Sequence, residues 1–359
     1  MPPKIGVIIV SYNSRQYLDG LFLSLSKVKY QNWSIIFVDN ASPDDSVAYI
    51  TEKFAANFPN LTIMRVDNNS GFAIGNNIGL KYLAENNFDY AYLLNQDTEV
   101  EPDFLEKALE KAGEGVGSVQ SFLKLYNKNG EINSLGNTIH YLGLGYCCGY
   151  RWSEEKTKKY LEDWQKRDPE LNITYGSGAG ILFNMKALQK VGFFDDIYFL
   201  YHEDLDLGWR LRLAGYKNIL APESIVYHKY EFSRSIKKFY WMERNRFLTI
   251  FKNYSAWTLI VIFPALFVME LGLFFFSFFS GWWREKLRVY EYFLEIKNWK
   301  MLLKSRKKTQ ALRRVGDAEI TKYFVGEILF QDMDNFILRR IANPIFNLYW
   351  RFARHLLGK

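Results

Sequence analysis

Residues 4–28 read "KIGVIIVSYNSRQYLDGLFLSLSKV" and contain the change of hydrophobic period that decides the fold. The first part is β-branched and apolar and ends in polar residues, which is typical of a buried strand. The second part follows Ser14, a residue type that caps helices, and places apolar side chains at helical spacing. These side chains are Tyr17, Leu18, Leu21, Phe22 and Leu25. The sequence therefore predicts a strand followed by an amphipathic helix.

The same alternation continues along the first third of the chain. Strand-like runs occupy 33–45, 61–68 and 90–100, and helix-like runs occupy 46–58, 71–87 and 101–112. Apolar strands that alternate with amphipathic helices form a mostly parallel sheet covered on both faces. We therefore expect an α/β fold with a doubly wound sheet. Farther on, 132–152 predicts hairpins, 154–170 a short helix or a loop, and 173–194 a strand and then a helix.

Polar residues follow each of the first four predicted strands. They are Ser11 and Asn13, Asp39 and Asn40, the run 67–70, and the run 95–97. In open α/β sheets, ligands bind beyond the carboxyl ends of the strands. One such cluster is explained by turn chemistry, whereas four at one edge of a sheet indicate a binding site.

Near the C-terminus, residues 257–279 are almost wholly apolar, and only Pro264 and Glu270 interrupt them. At about 1.5 Å per residue, such a run can cross a hydrocarbon core of about 30 Å. Basic residues flank both ends, which favours a segment lying in the interface over a simple span. We expect residues 257–283 to lie on the cytoplasmic leaflet as one or two helices broken near Pro264. The alternative is a buried helix pair.

The net charge of +7 is unevenly distributed. Residues 284–359 hold 17 of the 46 Lys and Arg residues and 8 of the 39 acidic residues, a net charge of +9, which leaves −2 for the rest. A basic, aromatic tail can bind anionic lipid or nucleic acid. We expect a membrane surface as its partner and no nucleic acid. The two cysteines, Cys147 and Cys148, are adjacent, form no metal-binding spacing, and indicate a reducing compartment.

Three motifs carry candidate chemistry. Asp97 ends a buried strand and is either a turn residue or a ligand of a divalent metal, to which His228 at the end of a later strand could contribute. Glycines at 71, 75 and 79 suggest either a phosphate-binding helix N-terminus or a helix packed closely on the sheet. A dinucleotide-dependent oxidoreductase is an alternative function for such a sheet, but it would need GxGxxG, and these glycines do not have that spacing.

The third motif is the acidic cluster of Glu203, Asp204 and Asp206 within "YFLYHEDLDLGWRLRLAGY", residues 198–216. The pattern predicts a helix that ends near Gly215, with the three acids in its first turn, where the helix dipole favours negative charge. Helix capping needs one acid and not three. Clustered carboxylates among aromatic residues raise one another's pKa towards the value that a general base needs.

Together, the motifs in 4–250 resemble family 2 glycosyltransferases of the GT-A fold, most closely the rhamnosyltransferase-like branch that builds bacterial polysaccharides and lipid-linked glycans. The resemblance rests on "VIIVSYNS", "VDNASPDDS", "NNSGFAIGNNIG", "LLNQDTEV", "GSGAGILFN" and "YHEDLDLGWRLRLAGY", in that order. It implies a GT-A catalytic domain over residues 1–250. The apolar run and the basic tail beyond this domain predict a helical, membrane-associated region over 251–359.

The resemblance also implies a role for each motif residue. Residues expected to bind the nucleotide sugar are Ser11, Asn13, Asp39, Asn69, Gly71, Asn76, Gly176, Ser177 and Gly178. Asp97 and His228 would bind Mg²⁺ or Mn²⁺. Asp204 would be the catalytic base, and Glu203 and Asp206 would support the acceptor site. The metal motif reads Asn95-Gln96-Asp97 and has a single acid, which is a departure from the family pattern.

The expected function is that of an inverting glycosyltransferase on the cytoplasmic face of the membrane, peripheral or monotopic. It would move a sugar, with rhamnose from dTDP-rhamnose as a candidate, to a glycan or polyprenyl-diphosphate-linked acceptor. The alternative is a catalytically inactive, membrane-anchored protein that binds nucleotide sugar or glycan, which the single acid of the metal motif would explain. The sequence leaves the oligomeric state open.

Overall fold

A computed structural model describes residues 2–128, 130–230, 236–329, 336 and 338–357. The strands are β1 (Ile5–Ser11), β2 (Trp33–Asp39), β3 (Leu61–Arg65), β4 (Tyr90–Leu94), β5 (Thr98–Val100), β6 (Val116–Leu125), β7 (Ile132–Ser134), β8 (Asn137–Ile139), β9 (Gly145–Cys147), β10 (Gly180–Asn184) and β11 (Lys217–His228). The helices of the first part are α1 (Leu18–Leu25), α2 (Ser46–Lys53), α3 (Gly71–Glu85), α4 (Phe104–Lys111), α5 (Glu154–Arg167) and α6 (Met185–Val191). The later helices are α7 (Glu203–Leu213), α8 (Lys237–Asn253), α9 (Ala256–Phe279), α10 (Trp283–Leu294), α11 (Ile296–Ala311), α12 (Asp317–Ile320) and α13 (Asn343–Leu357).

The large sheet has the strand order β3-β2-β1-β4-β10-β6-β11-β5, with β7 paired to β6. Strands β3, β2, β1 and β4 are parallel, as the alternation of strands and helices predicts. β10 runs antiparallel to both β4 and β6, and β5 runs antiparallel to β11, so the sheet is mixed. The helix-or-loop alternative for 154–170 is decided in favour of α5, whose N-terminus is capped by Ser153.

The core on one face of the sheet explains why the first strand and helix form. Ile5, Val7 and Ile9 of β1 point to the same face and are fully buried with Leu21 and Phe22 of α1. Burying a side chain of this size contributes roughly 1.5–3 kcal/mol. Every second side chain of β1 and the helically spaced apolar side chains of α1 therefore pack in one shared core.

The chain divides into two compact units. The first comprises Met1–Asn137, Cys147–Phe199 and Tyr216–Glu231, and the second comprises Thr138–Tyr146, Leu200–Gly215 and Phe232–Lys359. This division differs from the expected boundary at residue 250, because α7, α8 and residues 138–146 join the C-terminal helices. Asn245 of α8, for example, donates hydrogen bonds to the carbonyls of Leu200 and Tyr201, just before α7.

In the second unit, α9 runs unbroken through Pro264, so the predicted break near this proline is wrong. Proline costs a helix one backbone hydrogen bond. Packing offsets this loss, because Ile262, Ala265 and Leu266 are buried on either side of the proline. Among the described residues, α9 is the one helix long and apolar enough to cross a bilayer, with a mean hydropathy of 2.5.

Glu270, in the middle of α9, belongs to a buried ionic cluster. It accepts from Arg246 of α8 at 2.8 Å and pairs with Lys286 of α10 at 2.6 Å, and both cations also contact Glu243. Burial alone would raise the pKa of Glu243, but the two cations hold it well below its usual range. The cluster fixes one face of α9 against α8 and α10.

Two side chains of α11, one of them basic, contact the C-terminal end of α8. Arg306 donates to the carbonyls of Phe251 and Tyr254, and Gln310 donates to those of Lys252 and Asn253. The last carbonyls of a helix lack intrahelical partners and attract cations. Part of the positive charge of the tail is therefore used to cap α8 within the second unit.

Candidate active site

In the first unit, the parallel register of β1 and β2 places Ser11 directly opposite Asp39. Asp39 is fully buried; its Oδ1 accepts from the Ser42 amide at 3.3 Å, and Arg65 Nε lies 3.4 Å from its Oδ2. Oδ2 nevertheless has no hydrogen-bond partner among the described residues. A buried carboxylate oxygen without a donor is costly, so this oxygen is suited to accept a hydrogen bond from a ligand.

The loops after β1 and β2 are tied together. Asn13 is exposed, has a left-handed φ of 53°, and donates its amide to Ser42 Oγ at 3.1 Å. The Ser11 hydroxyl is buried and lies 2.5 Å from that of Ser14. The buried Ser11 hydroxyl thus stabilises the loop from inside the protein, whereas Asn13 is exposed at the same edge of the sheet.

Asn40 organises the turn before α3, a role that the sequence alone did not reveal. Its Nδ2 donates to Asn69 Oδ1 and to the Gly71 carbonyl, and its Oδ1 accepts from the Ser70 amide. Asn69 Oδ1 in turn accepts from the Gly71 amide at 3.0 Å. The position of Asn40 after Asp39 at the end of β2 was the available signal, because an asparagine there can both donate and accept.

The N-terminus of α3 is closed by the protein itself. The Phe72 amide donates to the Phe199 carbonyl at 2.9 Å, so it joins the amides of 70 and 71 in having an internal partner. Gly71 has a φ of 82°, and a Cβ at this position would lie 2.2 Å from the Phe199 carbonyl oxygen. These three amides are therefore not available to hold a phosphate.

The other two glycines of the motif are packing residues. A Cβ at Gly75 would lie 2.8 Å from Val10, and one at Gly79 would lie 2.8 Å from Ile8. Asn76 is buried, and its Nδ2 donates to the Phe72 carbonyl within α3. Of the two interpretations of this motif, the geometry supports the helix packed closely on the sheet.

Asp97 and His228 meet at the ends of β4 and β11. Asp97 Oδ1 lies 3.3 Å from His228 Nε2, and His228 Nδ1 lies 2.9 Å from Asn133 Oδ1. With the proton on Nδ1, the lone pair of Nε2 would be free to bind a metal beside the carboxylate. Two ligands of one Mg²⁺ lie about 3 Å apart. The pair therefore fits a divalent metal, although no group of three or more such ligands occurs among the described residues.

The metal motif has Asn95 where its first acid is missing, and its middle residue is Gln96. Its side chain accepts from the Tyr12 amide at 2.7 Å and donates to the Tyr12 carbonyl at 3.3 Å, so it anchors the loop after β1. Beside His228, a cleft of about 520 Å³ carries aromatic and basic side chains. They include Tyr126, Tyr150, Arg151, Lys229 and Tyr230. Such a lining suits an anionic, sugar-bearing ligand.

The turn of Gly176, Ser177 and Gly178 lies next to the Asp97 loop. The Asn95 amide donates to the carbonyl of Ala179, and the Ser177 amide donates to Gln120 Oε1 at 2.8 Å. A Cβ at Gly178 would lie 2.7 Å from the ring of Phe72, at the start of α3. The first unit thus brings the expected donor-site residues of β4, α3 and this turn to one edge of the sheet.

In the second unit, the acidic cluster begins α7 as the sequence predicts. Two consecutive left-handed residues, Tyr201 and His202, turn the chain into the helix, with φ values of 67° and 69°. Non-glycine residues in this conformation cost energy and cluster at functional sites. Asn245 holds this turn in place, and no motif in the sequence indicates its role.

The two leading acids differ in their surroundings. Glu203 is buried, and its Oε2 has no hydrogen-bond partner among the residues that the structure describes. Burial, and then the charge of Asp204, raise the pKa of Glu203 well above its ordinary value. Asp204 is half-buried, and its Oδ1 accepts from the Leu205 amide at 2.7 Å.

The carboxylate of Asp206 is paired inside the second unit. Its Oδ2 pairs with Arg210 at 2.9 Å and with Lys252 at 2.8 Å, and its Oδ1 accepts from Asn253 at 2.9 Å. It is fully buried. These contacts fix α7 to the end of α8, so Asp206 positions the start of the helix that carries Asp204.

Comparison with known proteins places these features in a family. The model of glycosyl transferase family 2 matches residues 6–192, more than half of the chain, and that of glycosyl transferase family group 2 matches residues 170–296. An N-acetylglucosaminyl-diphospho-decaprenol L-rhamnosyltransferase of Mycobacterium tuberculosis is 23% identical over 241 residues, which cover 64% of this chain and 76% of that protein. A poly-beta-1,6-N-acetyl-D-glucosamine synthase of Staphylococcus aureus is 24% identical over 61% of this chain, which spans only 48% of that relative.

Two solved structures share the fold at low sequence identity. A mannosyltransferase from Pyrobaculum calidifontis, in complex with GDP-Man and Mn²⁺, matches 100% of this chain and 86% of its own, with a TM-score of 0.51 and 13% identity. Staphylococcus aureus TarS in complex with UDP-GlcNAc matches 98% of this chain and 88% of its own, with a TM-score of 0.51 and 15% identity. The mixed sheet with flanking helices is thus the GT-A architecture.

Proposed function

Since the chain belongs to glycosyltransferase family 2 and is a glycosyltransferase, we propose that it transfers a sugar, with inversion, from a nucleoside-diphosphate sugar to a lipid-linked acceptor. The observation that carries this proposal is the pair of Asp97 and His228 at the strand ends, with Asp39 Oδ2, which accepts no hydrogen bond from the described residues, on the same edge of the sheet. The likeness to proteins solved with UDP-GlcNAc and GDP-Man supports a nucleotide-sugar donor. The relationship to a rhamnosyltransferase makes dTDP-rhamnose the first donor to test.

Within the first unit, we assign the donor to the strand-end edge. Asp39 Oδ2 is placed to accept from the nucleoside, and Asp97 and His228 would hold a divalent metal. When bound, the metal neutralises charge that develops on the leaving diphosphate. The Tyr- and Lys-lined cleft beside His228 supplies further contacts for the diphosphate or the sugar.

We assign the base to Asp204. Its carboxylate takes the proton of the acceptor hydroxyl while the hydroxyl oxygen attacks the anomeric carbon. The bond from this carbon to the diphosphate oxygen breaks, and the nucleoside diphosphate leaves with the electron pair. Glu203 is protonated more readily than an ordinary glutamate, so it stands beside the base without a competing full charge.

We assign the membrane surface to the outer faces of α9 and α13. These helices pack together: the Tyr349 hydroxyl donates to the Val261 carbonyl at 2.6 Å. Both helices expose large apolar side chains: Phe263 is 61% and Leu348 72% exposed. If α9 crossed the bilayer, the ionic cluster around Glu270 would have to enter with it, at a high energetic cost. A peripheral or monotopic placement on the cytoplasmic leaflet avoids this cost, as for other interfacial helices.

The donor assignment is tested by titrating nucleotide sugars in the presence of Mn²⁺. For wild type, one member of a panel of dTDP-rhamnose, UDP-GlcNAc and GDP-Man should bind, and chelator should weaken its binding about tenfold or more. Asp97→Ala should bind the donor as weakly as chelator-treated wild type, with or without Mn²⁺, because the metal has lost one of its two side-chain ligands. The control Asp163→Ala, on the exposed α5, should behave as wild type. Binding that is unaffected by chelator would contradict the metal assignment, and donor binding without any turnover would indicate the inactive binding protein.

A further inference from the structure

The second unit contains an apolar cavity that none of the preceding roles uses. Its volume is about 150 Å³. Helices α8 and α9 supply half of its described lining: Phe239 and Met242 come from α8, and Met269, Leu273 and Phe276 come from α9. Trp282 closes one side and stacks on Phe239, with the ring centroids 4.8 Å apart. An apolar cavity of this size holds a benzene-sized group and stays dry without one.

Among the described lining residues, the ionisable groups are His202 and Glu243. Removal from water lowers the pKa of His202 to about 4, so its ring is uncharged at neutral pH. Its Nε2 lies 3.1 Å from the Gly143 carbonyl. Glu243 is neutralised by Arg246 and Lys286. The part of the lining that the structure describes therefore presents no uncompensated charge to an apolar ligand.

Two features indicate what enters this cavity. His202 belongs to the strained turn that leads directly into Glu203 and Asp204, so the cavity adjoins the start of the catalytic helix. Lys238 Nζ lies 5.9 Å from the ring centroid of Tyr201 in the same turn, which puts positive charge beside the residue that precedes His202. An apolar group attached to an anion, next to the acceptor base, matches both features.

The third feature is continuity with the exposed apolar face of α9. Phe276, which lines the cavity, is half-buried, and Phe279, three residues farther along α9, is 91% exposed. A chain that leaves the cavity past Phe276 therefore meets an exposed apolar side chain. A short apolar ligand would not need this surface, whereas a long hydrocarbon chain would.

We propose that this cavity binds the first isoprene unit of a polyprenyl-diphosphate acceptor. The proposal rests on the proposed function, because it assigns the lipid part of the acceptor of that same reaction. The diphosphate lies near Lys238, the sugar extends towards Asp204, and the remaining isoprene units continue along α9 towards the membrane. A five-carbon unit matches the size of the cavity, so the first unit contributes most of the affinity that the lipid provides.

The test uses the purified full-length chain and three soluble probes: inorganic diphosphate, dimethylallyl diphosphate and geranyl diphosphate, each titrated by calorimetry. Dimethylallyl diphosphate should bind at least tenfold more tightly than inorganic diphosphate, and geranyl diphosphate at most about threefold more tightly again. Because this series needs no variant, it stays informative if a substitution prevents folding. Equal binding of all three probes would overturn the proposal, and so would displacement of dimethylallyl diphosphate by octanoate, which would identify a general lipid-chain pocket.

A matched pair of substitutions on α9 locates the effect. Leu273→Trp fills the cavity and should weaken dimethylallyl diphosphate at least tenfold, with the affinity for inorganic diphosphate unchanged. Leu271→Trp, on the exposed side of the same helix, should match wild type. Equal losses in both variants would contradict the assignment. Nucleotide-sugar hydrolysis is measured alongside: if it persists without a prenyl preference, only the cavity proposal fails, and if it is absent as well, the proposed function fails.

Discussion

At the scale of single residues, the three acids that the sequence groups together have three different environments. Asp206 is locked to Lys252 and Arg210, Glu203 is buried and has a raised pKa, and Asp204 remains half-buried. The sequence predicts the cluster and its place at the helix start, because helix periodicity is local. It does not predict which acid is committed to the interior, because the partners on α8 lie more than 40 residues away.

Asp204→Asn should lower the rate of sugar transfer by about 10² to 10⁴, the usual contribution of a general base. Donor affinity should change less than about twofold, because the donor is assigned to residues of the first unit. The rate is measured by release of nucleoside diphosphate and the affinity by calorimetry. Asp206→Asn serves as the contrast: it should lower the melting temperature, since Lys252 loses its buried carboxylate partner. An Asp204→Asn enzyme with wild-type turnover would remove Asp204 from the role of base.

Glu203→Gln should change how stability depends on pH. The folded state raises the pKa of Glu203, so it holds this proton where the unfolded chain has released it, and stability falls as pH rises from about 4.5 through the folded value. Glutamine cannot ionise and removes this loss. The melting temperature of Glu203→Gln should therefore exceed that of wild type at pH 8, and the difference should shrink towards pH 4. A difference that is independent of pH would show that Glu203 is not held protonated by the fold.

At the scale of secondary-structure elements, local patterns predicted most of the strands and helices, and long-range packing decided the exceptions. The apolar run of β1 and the helical spacing of apolar residues in α1 are local patterns, because they involve side chains only a few residues apart. The antiparallel direction of β10 depends on its neighbours β4 and β6, which are distant in sequence. Pro264 predicts a break in α9, but buried neighbours on either side hold the helix together.

The membrane-docking surface, defined as the exposed apolar residues of α9 and α13, gives a prediction at this scale. Phe263→Glu combined with Leu348→Glu should reduce flotation with vesicles that contain anionic phosphatidylglycerol about tenfold or more, because each change places a charge where an apolar side chain meets lipid. Leu23→Glu, on the exposed side of α1 and 54% exposed, is the control and should float like wild type. High salt should weaken the binding without abolishing it. Unchanged flotation of the double variant would place membrane contact elsewhere.

At the scale of the whole molecule, the sequence motifs fall into two compact units. The expected donor residues lie in the first unit, and the acids, the ionic cluster and the apolar cavity lie in the second. The family resemblance predicts the order of these motifs and the GT-A architecture. It does not predict that the amides of residues 70–72, at the start of α3, are already hydrogen bonded to Asn40, Asn69 and the Phe199 carbonyl. Two of these three bonds form between segments that meet only in the folded chain.

The central claim is that this chain transfers a sugar from a nucleotide donor to a lipid-linked acceptor with inversion. The most direct measurement incubates the full-length enzyme and Mn²⁺ with the donor panel and N-acetylglucosaminyl-diphospho-decaprenol, followed by NMR of the new glycosidic linkage. The account predicts that one donor labels the lipid and that the product has the opposite anomeric configuration to the donor. A product that retains the configuration, or the absence of transfer from every donor in the panel, would contradict it.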